Sequence, residues 1–222
     1  MTQTERVAAG GPWRGWYHVM TNVRGAWLPG DPRGWRSYAH RDHCEGDYKN
    51  PPPPDEHLAK LRRARDSMRD PPEFLSETAR TAACLALTER LLELGSNVPA
   101  LCVTDRHVHA LVRFCNYDAD GEPIPNAAIP GLHPRNALRN DRDPAPRHLF
   151  GRAKMHASRE LGDAGLKSSK ALWGRRCHIK PVSGRAHQLN VYRYIIRHRE
   201  RERAALWTFR DGLLPPPTHK PR

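Results

Sequence analysis

The chain has 222 residues, 38% of them hydrophobic, with a mean hydropathy of −0.78; that supports one substantial domain, and no stretch is apolar for long enough to span a membrane. Its 37 Lys and Arg against 24 Asp and Glu leave a formal charge of +13, which points to a polyanionic partner, nucleic acid first. The five cysteines, Cys44, Cys84, Cys102, Cys115 and Cys177, contain no CxxC pair, so neither a zinc finger nor a disulfide scaffold is indicated. They read as reduced thiols. MTQTERVAAGGPWRGW carries no apolar leader, and the expectation is a cytoplasmic protein.

Residues 13–23, WRGWYHVMTNV, are aromatic and β-branched and predict a first strand. A Gly/Pro segment follows, and PPPPDE at 51–56 excludes a central strand there. Residues 56–69 read as a basic helix, interrupted at Pro71-Pro72. EFLSETARTAACLALTERLLEL at 73–94 is the clearest helix, with Phe74, Thr78, Thr81 or Ala82, Leu85, Thr88 or Glu89, and Leu92 roughly marking one stripe, and Gly95-Ser96-Asn97 ends it. VPALCV at 98–103 predicts a strand, Asp105-Arg106 a tight turn, and HVHALVRF at 107–114 the antiparallel partner. PRHLFGRAKMHASREL at 146–161 predicts a helix with Leu149, Ala153, Ala157 and Leu161 on one line. ALWGRRCHIKPV at 171–182 holds a short edge strand, and 184–207 reads as one long basic helix. Segments 24–72 and 115–145 are loop-rich insertions, and 211–222 is a flexible tail. The expected architecture is a single α+β domain over 1–222, an antiparallel sheet with helices on one face. HRDHC at 40–44 has no supporting spacing and reads as loop histidines.

Strand period two places His107, His109, Leu111 and Arg113 on one face and Val108, Ala110, Val112 and Phe114 on the apolar one. Two imidazoles two residues apart can converge on one metal ion, although HxH alone is a short pattern. In NVYRYIIRH, Tyr194 and His198 stand four residues apart and share a helical face, while Leu189, Tyr192 and Ile196 make a separate apolar stripe. If that helix crosses the sheet, His198 completes a ligand set; if not, it is a solvated helix-end histidine and Tyr194 a packing aromatic. The positive charge gathers on the same helix at Arg185, Arg193 and Arg197, and Trp27, Trp35 and Trp173 are available to stack on unpaired bases.

On ALCVTDRHVHALV and YIIRH, the chain resembles the tyrosine-type HUH single-strand DNA transposases, which include small insertion-sequence transposases and REP-associated tyrosine transposases. The likeness runs over roughly residues 15–200, with long insertions between matching blocks. It implies a ferredoxin-like or RRM-like sandwich with a C-terminal helix bearing the nucleophile. It also implies metal ligands at His107 and His109, a catalytic Tyr194, and a third ligand at His198, where the family carries Asn or Gln. AKMHASREL resembles the family's DNA-contacting helix through Lys154, Ser158 and Arg159. Trp173-Gly174 stands where a Trp-Gln usually leads the strand before the tyrosine helix. YHVMTNVRGAWLPGDPRGW is similar to the opening of a subgroup with a Gly-x-Trp-Leu-Pro-Gly-Asp segment, here Gly25 to Asp31.

The implied activity is metal-dependent cleavage and rejoining of single-stranded or hairpin DNA through a 5′-phosphotyrosine, by a monomer or an exchanged homodimer. The family's ion is Mg²⁺ or Mn²⁺; three imidazoles suit Mn²⁺, Zn²⁺ or another transition metal better than Mg²⁺. A domesticated hairpin-binding protein and a water-activated phosphodiesterase are the competing expectations.

Overall fold

The computed structural model describes residues 15–33, 55–115 and 144–217 with Trp13, Trp35 and Pro53, the side chains of Pro144 and Arg176 excepted. The 40–44 histidines and nearly all of the 115–145 insertion lie outside the described residues. Six strands form one sheet: β1 (Trp16–Val23), β2 (Asn97–Val103), β3 (His107–Arg113), β4 (Trp173–Pro181), β5 (Ala205–Thr208) and β6 (Gly212–Leu214). Their order is β4-β1-β3-β2-β5-β6, every pairing antiparallel. The described helices are α1 (Leu58–Asp66), α2 (Glu77–Glu93), α3 (Pro144–Asp163) and α4 (Arg185–Glu202). The result is a mixed α+β fold around an open antiparallel sheet.

Alternation along the strands gives each face its own core. Val19, Val108, Ala110, Val112 and Phe114 turn to one side and pack under α2 and α3, where Leu149, Ala153, Ala157 and Leu161 are fully buried. Ala100, Cys102, Leu111 and Leu206 turn to the other and receive Val191 and Ile195 of α4. The expectation of helices on one face is therefore corrected. Leu111 is an apolar residue on the histidine side of β3, and it anchors a second layer.

Four further expectations change. The sheet-facing side of α2 is Ala79, Ala83, Cys84, Leu87 and Leu91, whereas Phe74 and Leu92 are exposed at 52% and 44%. Ala79, Ala83 and Cys84 let α2 approach the sheet closely alongside the buried Leu87 and Leu91, and Phe74 precedes the helix, which starts at Glu77. The buried row of α4 is Gln188, Val191, Ile195 and His198, not Leu189, Tyr192 and Ile196, which are only partly buried. The helix stops at Glu202 rather than continuing to 207. Arg203 adopts a left-handed φ of 52°, and the Ala204 amide donates to the His198 carbonyl at 3.2 Å. Ala205 onward then pairs with β2, because Ala204, Ala205 and Leu206 gain burial there. Left-handed backbone at a non-glycine costs about 1 kcal/mol. Arg80 helps to hold it by donating to the Arg203 carbonyl at 2.6 Å, while the Arg203 guanidinium pairs with Glu77. Residues 212–214, read within a flexible tail, form β6 against β5.

The GAWLPGD segment acquires a structural role. Gly25 and Gly30 both have positive φ, and a Cβ on Gly30 would lie 2.4 Å from the Leu61 amide nitrogen of α1. Asp31, buried, accepts from the Arg33 backbone and side chain at 2.6–2.9 Å. Arg33 in turn donates to the Ala26 carbonyl and lies 4.3 Å from the centre of the Trp27 ring. The segment is a clamp that seats α1 and fixes Trp27.

Two glycine substitutions should have opposite signs. Gly30→Ala meets backbone at 2.4 Å in a left-handed conformation and is expected to destabilise by about 2 kcal/mol or more. Gly151→Ala, in the interior of α3 with nothing within 4 Å, is expected to stabilise by about 0.5–1 kcal/mol. Urea unfolding of both variants beside wild type checks the pair.

Candidate metal centre

The β2–β3 turn sets the first histidine. Thr104 Oγ1 accepts from the amides of Arg106 (3.2 Å) and His107 (3.0 Å), and the Thr104 amide donates to the His107 carbonyl at 2.9 Å. His107 thus opens β3 in a fixed orientation, and the strand pleat sends His109 to the same face. On α4, Val191 and Ile195 dock the helix onto that face, which lowers the next buried position, His198, onto the pair. The nitrogens of His107, His109 and His198 lie within 4.8 Å of one another. Ring centroids are separated by 4.8 Å for His107 and His109, 5.4 Å for His107 and His198, and 4.7 Å for His109 and His198.

Hydrogen bonds set which nitrogens face the cluster. His198 Nδ1 donates to the Tyr194 carbonyl at 2.9 Å, which leaves Nε2 as the nitrogen facing the cluster. His109 Nδ1 lies 3.1 Å from His18 Nε2 on β1, leaving its Nε2 as the nitrogen for a ligand. His107 Nε2 is buried and makes no hydrogen bond, although Glu202 Oε2 approaches to 3.4 Å. Burial lowers the pKa of His107 to about 4, helped by His198, and that of His109 to about 2, helped by His107, His198 and His18. His18 is likewise lowered to about 4, by burial and then by Lys180. At neutral pH these imidazoles hold lone pairs rather than protons. An orphaned buried nitrogen, an Nε2 on His198 left facing the cluster and three convergent imidazoles fit a divalent cation, and the all-nitrogen donor set fits a transition metal better than Mg²⁺.

Tyr194 lies against the cluster, its ring 4.6 Å from that of His198 and 5.1 Å from that of His109, and it is 45% exposed. The cleft before it has a volume of about 650 Å³, and its walls include Trp27, Arg147, His178 and Glu202. Arg193 and Arg197 flank Tyr194 on the exposed side of α4. Trp27, 44% exposed, therefore joins the site from the loop after β1.

Other sequence candidates fall elsewhere. Lys154 is buried, its ammonium donating to Thr21 Oγ1 at 3.1 Å and the Gly174 carbonyl at 2.8 Å, and burial lowers its pKa. It ties α3 to β1 and β4. Trp173 donates to the Lys154 carbonyl at 2.8 Å, a further part of the same tie. Ser158 accepts from Lys167 at 3.3 Å and Arg159 is exposed, both on α3, across the sheet from Tyr194. Arg185, at the start of α4, lines a separate cavity of about 570 Å³ with Trp16, Tyr192 and Phe209, and donates to Gln188 at 2.7 Å. Trp35 is buried against α1, with Lys60 4.1 Å from its ring centre.

Two site residues escaped sequence reasoning. Glu202 carried a signal, since Tyr194, His198 and Glu202 repeat every four residues along α4. His18 carried none; it meets His109 only through the β1–β3 pairing, 91 residues apart in sequence. Comparison of the chain with protein-family models, curated proteins and solved structures finds no match. No helix among the described residues is long and apolar enough to cross a membrane.

The depressed histidines give a pH signature. In metal-free protein, His18, His107 and His109 stay neutral down to their folded values, whereas the unfolded chain takes up protons from about pH 6.5. The unfolded state binds more protons below that point, so stability falls as pH drops from about 6.5 towards 4. Urea unfolding in EDTA is expected to lose on the order of 3 kcal/mol between pH 7 and pH 5. A His109→Gln, His18→Gln double variant is expected to flatten that dependence.

Proposed function

We propose that this protein cleaves and rejoins single-stranded or hairpin DNA by metal-dependent transesterification, with Tyr194 as the nucleophile. The observation that carries the reading is the contact of the exposed Tyr194 ring with His109 and His198, two members of the three-histidine cluster. A structural metal site has no need of a partly exposed phenol at its mouth; a transesterase has. The strand order β4-β1-β3-β2, with helices joining β1 to β2 and β3 to β4, further supports a ferredoxin-like core extended by β5 and β6. This accords with the HUH-type family that the motifs resemble.

A divalent ion held by His107, His109 and His198, with Mn²⁺ or Zn²⁺ suited to the imidazoles, would supply neutralisation of charge on the scissile phosphate and on its leaving oxygen. The chain's own residues do the rest. The cleft rimmed by Trp27 and Arg147 admits an unpaired strand, the indole stacking on a base and the guanidinium attracting phosphate. Arg193 and Arg197, on one exposed side of α4 beside Tyr194, place positive charge near the phenol and lower the cost of its anion, since free tyrosine has a pKa of about 10. The packing of Tyr194 against two rings limits its rotamers, so attack begins from a positioned oxygen. Tyr194 gives up its phenolic proton to water, its Oη forms the new bond to phosphorus, the bond to the 3′ oxygen breaks, and the departing oxygen takes a proton from water to become a 3′-hydroxyl. The 5′-phosphate stays on the tyrosine as a phosphodiester. Attack by another strand's 3′-hydroxyl reverses the step, so no nucleotide cofactor is consumed. A cytoplasmic, nucleoid-associated location follows from this role.

The Glu202 carboxylate, 3.4 Å from nitrogens of His107 and His198, favours a second reading in which water, not Tyr194, attacks. Labelled hairpin DNAs mixed with protein and Mn²⁺, Zn²⁺ or Mg²⁺ separate the two. On a denaturing gel, wild type is expected to give a protein-linked 5′ fragment that Tyr194→Phe and His107→Ala each reduce by at least about 100-fold. Cutting by Tyr194→Phe at the wild-type rate would establish the water reaction instead.

A further inference from the structure

The last residue of α4 contributes more than a neighbouring charge. Glu202 places Oε1 3.4 Å from His198 Nε2 and Oε2 3.4 Å from His107 Nε2. For His198, Nδ1 donates to the Tyr194 carbonyl, so Nε2 is the ring nitrogen that faces the carboxylate oxygen. A metal ion placed between that nitrogen and that oxygen would be held by both. His107 presents the same arrangement: its Nε2 is buried and makes no hydrogen bond, with the other carboxylate oxygen beside it.

The spacing suits a metal ion. In a tetrahedral site with bonds of about 2.1 Å, neighbouring ligand atoms are about 3.4 Å apart. Each Glu202 oxygen already has that separation from one nitrogen, Oε1 from His198 and Oε2 from His107, whereas the imidazoles, spread over up to 4.8 Å, close up by small ring rotations. The position of Glu202 in the helix points the same way. A carboxylate in the last turn sits at the negative pole of the α4 dipole, which is unfavourable if nothing positive compensates. The left-handed Arg203 immediately after it, held by Arg80 and Glu77 of α2, fixes the end of the helix and hence the origin of the Glu202 side chain.

We infer that Glu202 is the fourth protein ligand of a three-histidine, one-carboxylate site that selects a transition metal, Zn²⁺ or Mn²⁺, over Mg²⁺. The inference rests on the metal-centre reading above and adds to it a ligand and a metal class. Closing the coordination sphere with a carboxylate at 40% exposure also gives the site one displaceable arm. When a phosphate oxygen enters the cleft, Glu202 can yield its place while the buried imidazoles stay.

The test is metal binding by the full chain, read without any turnover. Zn²⁺, Mn²⁺ and Mg²⁺ are titrated calorimetrically into metal-free wild type, Glu202→Gln and His107→Ala, and Co²⁺ is added to each for its visible spectrum. Circular dichroism confirms that the variants are folded; Glu202→Asp, which keeps the charge on a shorter arm, provides a second comparison. Wild type is expected to bind Zn²⁺ and Mn²⁺ at least about 100-fold more tightly than Mg²⁺. Glu202→Gln is expected to weaken Zn²⁺ binding by at least about 10- to 100-fold and to change the Co²⁺ bands, as loss of an inner ligand must. Glu202→Asp is expected to recover part of the affinity. Equal Zn²⁺ affinity in wild type and Glu202→Gln would overturn the assignment of Glu202 while leaving the histidine site intact. Weaker binding with an unchanged Co²⁺ spectrum would also overturn it, placing the carboxylate outside the coordination sphere. Failure of wild type to bind any of the ions would overturn the metal centre itself.

Discussion

The site depends on α4 docking against the β2–β3 hairpin. Val191 and Ile195 settle among Ala100, Cys102, Leu111 and Leu206, and the helical repeat then brings His198 down onto His107 and His109. The apolar contact places the polar one. Its consequence is that two surfaces of a single helix perform separate tasks: the row Gln188, Val191, Ile195 and His198 faces the sheet, while Tyr194 stands one position round from Ile195, exposed at the cleft. A helix rotated so that Leu189, Tyr192 and Ile196 were buried would carry His198 away from the strand histidines.

Electrostatics at this point runs against ordinary stability. Three imidazoles crowd together with a carboxylate in a partly buried pocket, and burial holds His107 and His109 far below the usual histidine range. Such an arrangement is costly in the absence of a ligand and is repaid by one. The hydrogen bonds from His198 to the Tyr194 carbonyl and between His18 and His109 prepare nitrogens for coordination before any ion arrives. The bond from His198 also joins the proposed nucleophile's backbone to a proposed ligand, so movement at one is felt at the other.

Much of this was legible in the amino-acid order, and the failures have identifiable causes. The HVH strand, its Asp105-Arg106 turn and the Tyr194–His198 spacing are local patterns with fixed periods, and the structure brings those residues together. The buried line of α3 was readable because Leu149 and Leu161 bracket alanines at a four-residue repeat. The buried side of α2 was not, because alanine and cysteine give weak contrast and leucines lie on both sides of the helix, Leu87 and Leu91 buried and Leu92 exposed. The end of α4 was concealed by a left-handed arginine, a conformation no residue preference signals, and with it went β5. Lys154 illustrates a different difficulty: a lysine in a basic helix suggests phosphate contact, and only the tertiary arrangement reveals Thr21 and the Gly174 carbonyl waiting for its ammonium. His18 depended on strand pairing across most of a domain.

The central claim is that Tyr194, and no water molecule, takes the phosphate. The most direct measurement is peptide mass spectrometry on wild-type protein incubated with Mn²⁺ and a cleavable hairpin DNA, digested with nuclease and trypsin. Cleavage after Arg193 and Arg197 isolates the four residues from 194 to 197, with Tyr194 the single hydroxyl-bearing side chain among them. The account expects that peptide to carry a residual 5′-phosphonucleotide. DNA that is cut while the peptide remains wholly unmodified would contradict it.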